Sequence, residues 1–197
     1  MERYLALELA STIRHDGEGG VADDLGDAAA LTAWVRGHLA EAGDFVAEDA
    51  VLADVLVLRR AVRALFARAV APGQPSSADA HRLMPAEEAI AHLNAAAARV
   101  PVVPRLDWAA GAAPVARLVP ERDPAGPAAG IVAELARAAV DFLTGPQRDR
   151  LRACAAPRCV RYFVKSHGRQ EWCKPSCGNR ARVARHYRRH HPETVQA

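Results

Sequence analysis

The chain has 197 residues, half of them hydrophobic, with 13 Gly and 13 Pro, which is enough apolar material for a buried core and excludes a disordered or fibrous polypeptide. No apolar run approaches the ~20 residues needed to cross a bilayer, and the opening residues lack the basic start and apolar stretch of a signal peptide, so a cytoplasmic protein with no membrane partner is expected. The net charge of +3 divides unevenly: residues 1–147 carry 13 Lys+Arg against 20 Asp+Glu, a balance of −7, and residues 148–197 carry 13 against 3, a balance of +10.

Taken in chain order, Tyr4–Thr12 is a short apolar stretch that reads as a helix stopping near Arg14–Gly20. His15, Asp16, Glu18, Asp23 and Asp24 follow in one glycine-containing segment. Such a set can bind a metal or ligand, but its glycines favour a solvated turn, and it matches no catalytic motif. Asp27 is placed to cap a helix through Ala42, with Leu31, Trp34, Val35 and Leu39 at helical spacing. A long helix is predicted from about Ala47 to Val70, because Val51, Val55, Leu58, Val62, Leu65 and Phe66 form one apolar stripe. Ala71–Ala80 reads as a loop, and Pro85–Arg99 as a helix with proline in its first turn. The period then changes to two short β-forming runs, predicting a hairpin of Pro104–Trp108 with Val115–Val119. Ala128–Leu143 returns to helix, broken by Gly145–Pro146.

All four cysteines lie in the basic block, as Cys154-x4-Cys159, thirteen residues, then Cys173-x3-Cys177. Two close pairs around a short insert are how a chain wraps four thiolates about one tetrahedral ion. One structural zinc is therefore expected, with four protein ligands and no open position for catalysis. Pro157 and Pro175 favour turns inside the pairs, and the insert is long enough for a small hairpin, Val160–Val164 with Arg169–Trp172. Two disulfides are disfavoured without an export signal, and a redox dithiol usually has C-x-x-C spacing, which neither pair has. His186-x3-His190 is a rival ligand pair, but its distance from Cys177 is short for a Cys2His2 finger. His167 is placed at the hairpin tip.

After Cys177, Gly178 allows a sharp turn and Asn179 suits an N-cap, so a helix is expected to start beside the metal and end at Pro192. At 100° per residue Val183, Ala184 and Tyr187 share a side expected to pack on the finger. Arg182, Arg185 and Arg189 share the other side, with His186 near and Arg188 flanking. No acidic residue offsets them, and like charges at this spacing repel; binding phosphates supplies the compensation. Arg180, in the first turn where the helix dipole disfavours a cation, is expected to bridge to a group of the finger or body, or to reach a phosphate.

This segment resembles the CGNR zinc finger, whose four letters read here as Cys177-Gly178-Asn179-Arg180, with a first C-x4-C pair, the strand Val160-Arg161-Tyr162-Phe163, Trp172 before Cys173, and a basic helix. The resemblance covers about residues 150–190 and implies a DNA-binding finger. Residues 4–145 resemble, more loosely, the ABATE domain that commonly precedes it, through LALELAST, Leu93-Asn94 and Arg117-Leu118-Val119-Pro120. Ser11-Thr12 stands where Asn-Thr is common. The resemblance implies a role in stress-induced transcription regulation.

The fold class expected is mainly α with a small β-hairpin (α+β). Residues 1–147 would form a helical domain with the hairpin near 104–119. Residues 148–192 would form a treble-clef or ribbon-like finger with its basic helix, and 193–197 a tail. The expected function is a DNA-binding regulator, not an enzyme. Its zinc ligands would be Cys154, Cys159, Cys173 and Cys177. Its nucleic-acid contacts would be Lys174, Asn179, Arg180, Arg182, Arg185, Arg188 and Arg189. A small-molecule effector, of unknown site, and a homodimer are the further partners considered. The alternatives are a zinc-thiolate redox or protein-interaction module and an RNA binder.

Overall fold

In the computed structural model, which describes residues 3–18, 20–40, 42–79, 83–122 and 126–190, the organising element is the 21-residue helix α3 (Asp49–Ala69). Its predicted stripe, Val51, Val55, Leu58, Val62, Leu65 and Phe66, is buried throughout. Around it lie α1 (Leu5–Ala10), α2 (Ala28–His38), α4 (Ala86–Ala97) and α5 (Pro127–Thr144). Phe142 of α5 meets Phe66 at 4.9 Å between ring centroids and Tyr4 edge-on at 5.3 Å. Asp27 caps α2 by accepting from the Ala30 amide at 2.7 Å. The helix stops at His38 rather than Ala42, because the chain extends at Leu39 and folds back to bury Leu39, Ala42 and Phe45. Among the described residues no helix is long and apolar enough to cross a membrane.

The acidic segment expected to be a turn is instead a hairpin, β1 (Ile13–His15) paired antiparallel with β2 (Val21–Asp23). Three-residue strands are too short for their alternation to register against the surrounding Gly and Asp. The turn is closed by Asp16, whose Oδ1 accepts from the Glu18 and Gly20 amides at 2.8 and 3.0 Å. Asp23 accepts from both terminal nitrogens of Arg59, at 2.6 and 2.5 Å, and Arg59 also donates to Thr12 Oγ1 at 2.8 Å. Partial burial raises the Asp23 pKa, but the Arg59 hydrogen bonds and charge outweigh it, so the carboxyl sits below its ordinary range. Asp24 pairs with Arg14 at 2.5 Å. Asp23 thus holds the hairpin to α3, and Asp24 ties its end back to β1.

The second hairpin, β3 (Val102–Asp107) with β4 (Val115–Pro120), matches the expected one and extends it at the base. Its register sets Pro104 opposite Leu118 and Leu106 opposite Ala116, so one face is apolar, and Leu106, Trp108 and Leu118 are all exposed.

After α5 a 3-10 turn (Pro146–Arg150) leads into β5 (Leu151–Ala153), which pairs antiparallel with β6 (Tyr162–Val164). This overturns the expected hairpin of Val160–Val164 with Arg169–Trp172. The partner strand precedes Cys154, and pairing there buries Leu151 and Tyr162 in the main core. The insert closes as a loop instead, with Gln170 Oε1 accepting from the Ser166 amide at 2.7 Å. The last element is α6 (Pro175–His190). The end of the loop at Ala80, the stop at Pro192 and the tail 193–197 lie outside the described residues.

A buried polar seam joins the body to this C-terminal module. Arg63 of α3 makes a paired contact with Asp79, at 2.8 and 2.9 Å. It also donates to the carbonyls of Ala10 at 2.6 Å and Val160 at 3.2 Å. Tyr162 donates to Asp79 at 2.8 Å, and its ring lies 5.3 Å from the Arg63 guanidinium. Burial, then the Asp79 charge, push the Tyr162 phenol up, so it remains a donor. Ser76 donates to the Val160 carbonyl at 2.8 Å and Ser77 to that of Cys159 at 3.2 Å.

Candidate metal centre

Each cysteine is positioned by a different piece of local structure. Cys154 follows β5, and its amide donates to the Arg161 carbonyl at 2.9 Å, continuing the ladder past the strand. Cys159 closes a turn through Pro157 and Arg158, with its amide donating to Ala156 at 3.0 Å. Arg158 there takes φ 62°, the left-handed region that favours glycine. Cys173 lies two residues before α6, and Cys177 lies in its first turn, its amide donating to the Lys174 carbonyl at 3.0 Å. A tight knuckle between the strands of a short hairpin thus carries one pair of ligands, and the start of a helix carries the other.

The four sulfurs fit one zinc ion. All lie within 4.8 Å of one another, with Cys159–Cys173 at 3.7 Å and Cys173–Cys177 at 3.5 Å. A tetrahedral site with Zn–S near ~2.3 Å requires sulfurs about 3.8 Å apart. A disulfide requires about 2.05 Å, and all four thiols are free. Thiols crowded this closely cannot all ionise without a cation among them. Hydrogen bonds from Cys159 and then Cys173 pull Cys154 down towards thiolate, while bonding to Cys154 pushes Cys159 and Cys173 up. Among the described residues no other group of His, Cys, Asp or Glu gathers closely enough to hold a metal. His167, His186 and His190 are all exposed and none joins the sulfurs.

Around the sulfurs is a small core of their own: Ala156 and Phe163, with Trp172 packed against it. Gly178 is buried because Trp172 lies on it. A Cβ there would stand 2.9 Å from Trp172 Cδ1, so the glycine serves a close approach rather than the expected sharp turn. Asn179 does not cap the helix, which begins four residues earlier, where Pro175 suits a first turn. Its Oδ1 accepts from Arg182 instead. Among the described residues Arg180 reaches neither an acid nor a carbonyl: its Nη2 donates to Cys177 Sγ at 3.2 Å, while its Nε is buried with no hydrogen-bond partner.

The packed side of α6 also differs from the expected one. Cys177, Gly178 and Ala181 are buried, whereas Val183 and Tyr187 are 68% and 52% exposed. The finger touches only the turns that deliver the ligand, so the apolar residues two turns on project beyond it. From Arg182 to His190 every residue but the half-buried Ala184 is exposed. Arg182, Arg185 and Arg189 line one surface with His186 and Val183, and Arg188 and Lys174 are exposed as well. Sequence reasoning missed the seam residues Arg63, Ser76, Asp79 and Tyr162. The available signal was a pair of arginines, Arg59 and Arg63, four apart within the apolar side of α3, where a cation needs a buried partner.

A free four-thiol cluster at the mouth of a basic helix, on an α+β body, defines a zinc-finger protein with a helical partner domain. The ABATE family profile, described as "Putative stress-induced transcription regulator", matches residues 4–146, and that of the CGNR zinc finger matches residues 150–190. The chain belongs to the ABATE family and carries a CGNR zinc finger, neither of which is an enzyme family. No curated protein matches it.

Proposed function

We propose that this chain is a DNA-binding transcription regulator of the cytoplasm. Its division would fall near residue 147, the finger of residues 148–192 docking on duplex DNA and the helical body of residues 1–147 sensing a small molecule or a partner. Zinc held by Cys154, Cys159, Cys173 and Cys177 would fix the start of α6, and Lys174, Asn179, Arg182, Arg185, Arg188 and Arg189 would meet the nucleic acid. Arg180, committed to sulfur through one nitrogen, would support the centre. The observation that carries this reading is the exposure of Arg182, Arg185, Arg188 and Arg189 on an anchored helix, with no carboxylate of the described residues within 4.0 Å of any of them.

Physically, such a rod suits the major groove. That groove is about 12 Å wide and admits a helix, and each phosphate neutralised releases counterions, so affinity falls steeply with salt. Val183, on the arginine surface, supplies an apolar contact of the kind that reads thymine methyls. One helix offers few base contacts, which makes a dimer on a two-fold site the expected working form. The test is an anisotropy titration of the zinc-loaded chain with duplex DNA across a salt series. Arg182→Ala with Arg185→Ala should weaken binding and reduce the salt slope by about two. Binding indifferent to both substitutions, or preference for RNA in competition, would overturn the reading.

A further inference from the structure

A cleft of about 270 Å³ lies where the first hairpin of the body meets the metal knuckle. Five cations line it, Arg14, Arg158, Arg161, Lys174 and Arg180, against one carboxylate, Asp16, with His15 alongside. Two of the five have other partners: Arg14 pairs with Asp24, and Arg180 donates to the Cys177 sulfur. Arg158, Arg161 and Lys174 contact neither a carboxylate nor a sulfur among the described residues. Like charges brought together from two parts of a chain repel unless anions join them; four thiolates on one zinc ion leave a charge of −2 beside Cys159, which with Asp16 offsets three of the five.

Two further observations point the same way. His15 Nδ1 accepts from the Gly17 amide at 2.8 Å, which leaves Nε2 as the protonated nitrogen, and that Nε2 is buried with no partner. Arg180 Nε is the other such atom among the described residues, and both side chains line this cleft. Buried donors are nearly always satisfied. Arg158, moreover, occupies a left-handed backbone position where glycine is favoured. Its charge stands at that position against the local backbone preference.

We propose that this cleft is a phosphate-group site shared by the body and the finger. Arginine guanidinium groups match phosphate oxygens in pairs, and the volume accommodates a phosphate or diphosphate. The phosphate comes either from a small phosphorylated molecule or from the backbone of bound DNA. The site does not depend on the reading of the distal helix, whose arginines lie outside it.

The test uses the zinc-loaded full chain, pyrophosphate in a calorimetric titration with zinc content checked afterwards, and duplex DNA by anisotropy. The variants are Arg158→Gly, which suits the backbone there, and Arg158→Gly with Arg161→Gln. Arg148→Gln with Arg169→Gln is the charge-matched control outside the cleft. If the ligand is a small molecule, pyrophosphate binds the wild-type chain and the double variant weakens it by about a hundred-fold, ten-fold per guanidinium. Arg158→Gly alone then melts no lower than wild type and binds about ten-fold more weakly. If the ligand is DNA, pyrophosphate binds poorly, and the cleft variants weaken duplex binding well beyond the control. Pyrophosphate and duplex binding both unchanged in the cleft variants, or changed equally in the control, overturns the proposal and leaves the cations as neutralisers of the metal-thiolate charge.

Discussion

The two ends of the finger are built on opposite principles. Along the seam with α3 the polar groups answer one another: Arg63, Asp79, Ser76 and Tyr162 are mutually bonded and hold the Val160 carbonyl. Along the distal half of α6 the cations are solvated, and the apolar Val183 faces water. The first region is fixed by desolvated contacts whose removal leaves a buried charge. The second gains nothing for the fold from its charges. Residues that stabilise a fold and residues kept for an outside partner are therefore separable by what they touch.

The contrast can be broken at the metal first, where the effect should be largest. Cys177→Ser, or exhaustive chelation, should release the zinc, abolish the finger's protection in hydrogen exchange and leave the helices of the body protected, because metal-binding energy is folding energy for a module this small. Loss of protection throughout the chain would mean that the body cannot stand without the finger. Asp79→Asn comes next. It strands the Arg63 cation, whose side chain is only 5% exposed, and should lower stability by about 3–5 kcal/mol in denaturant titration. A loss below about 1 kcal/mol would show that the seam is not fixed by this pair.

Smaller effects sharpen the comparison. Gly178→Ala forces Trp172 to move and should lower stability by about 1–3 kcal/mol, with a change in tryptophan fluorescence and weaker zinc retention against a competing chelator. An unchanged spectrum would count against close packing at that contact. At the far end, the Arg182 and Arg185 alanine variant should melt within about 0.5 kcal/mol of the parent, whatever it does to DNA. A larger destabilisation would mean that the distal helix has a structural partner.

Much of this was legible in the sequence, for identifiable reasons. The stripe from Val51 to Phe66 repeats over more than four turns, so α3 was legible within two residues at its N-terminus and one at its C-terminus. The cysteine spacing led to the tetrahedral cluster because ligand geometry is local. The β1–β2 hairpin was missed because its strands are three residues each. The strand partner of β6 was not legible because it lies outside the insert, before Cys154 at Leu151–Ala153. Val183 and Tyr187 were assigned to the finger from the helical wheel, which gives direction around an axis but not how far along it the contact extends. Arg63 contacts Val160, 97 positions away, and no local pattern carries that.

The Ser77 bond to the Cys159 carbonyl has a mechanical consequence. The knuckle that grips the ion is clamped to the body, and the ion in turn clamps the first turn of α6, so the direction in which the rod points is inherited from α3. The nine residues beyond Ala181 extend roughly 13 Å, and a tilt of about 10° at the base would swing the tip by about 2 Å. That is the difference between a guanidinium that reaches its acceptor and one that falls short, so a small rearrangement of the 71–79 loop would be magnified where the arginines sit.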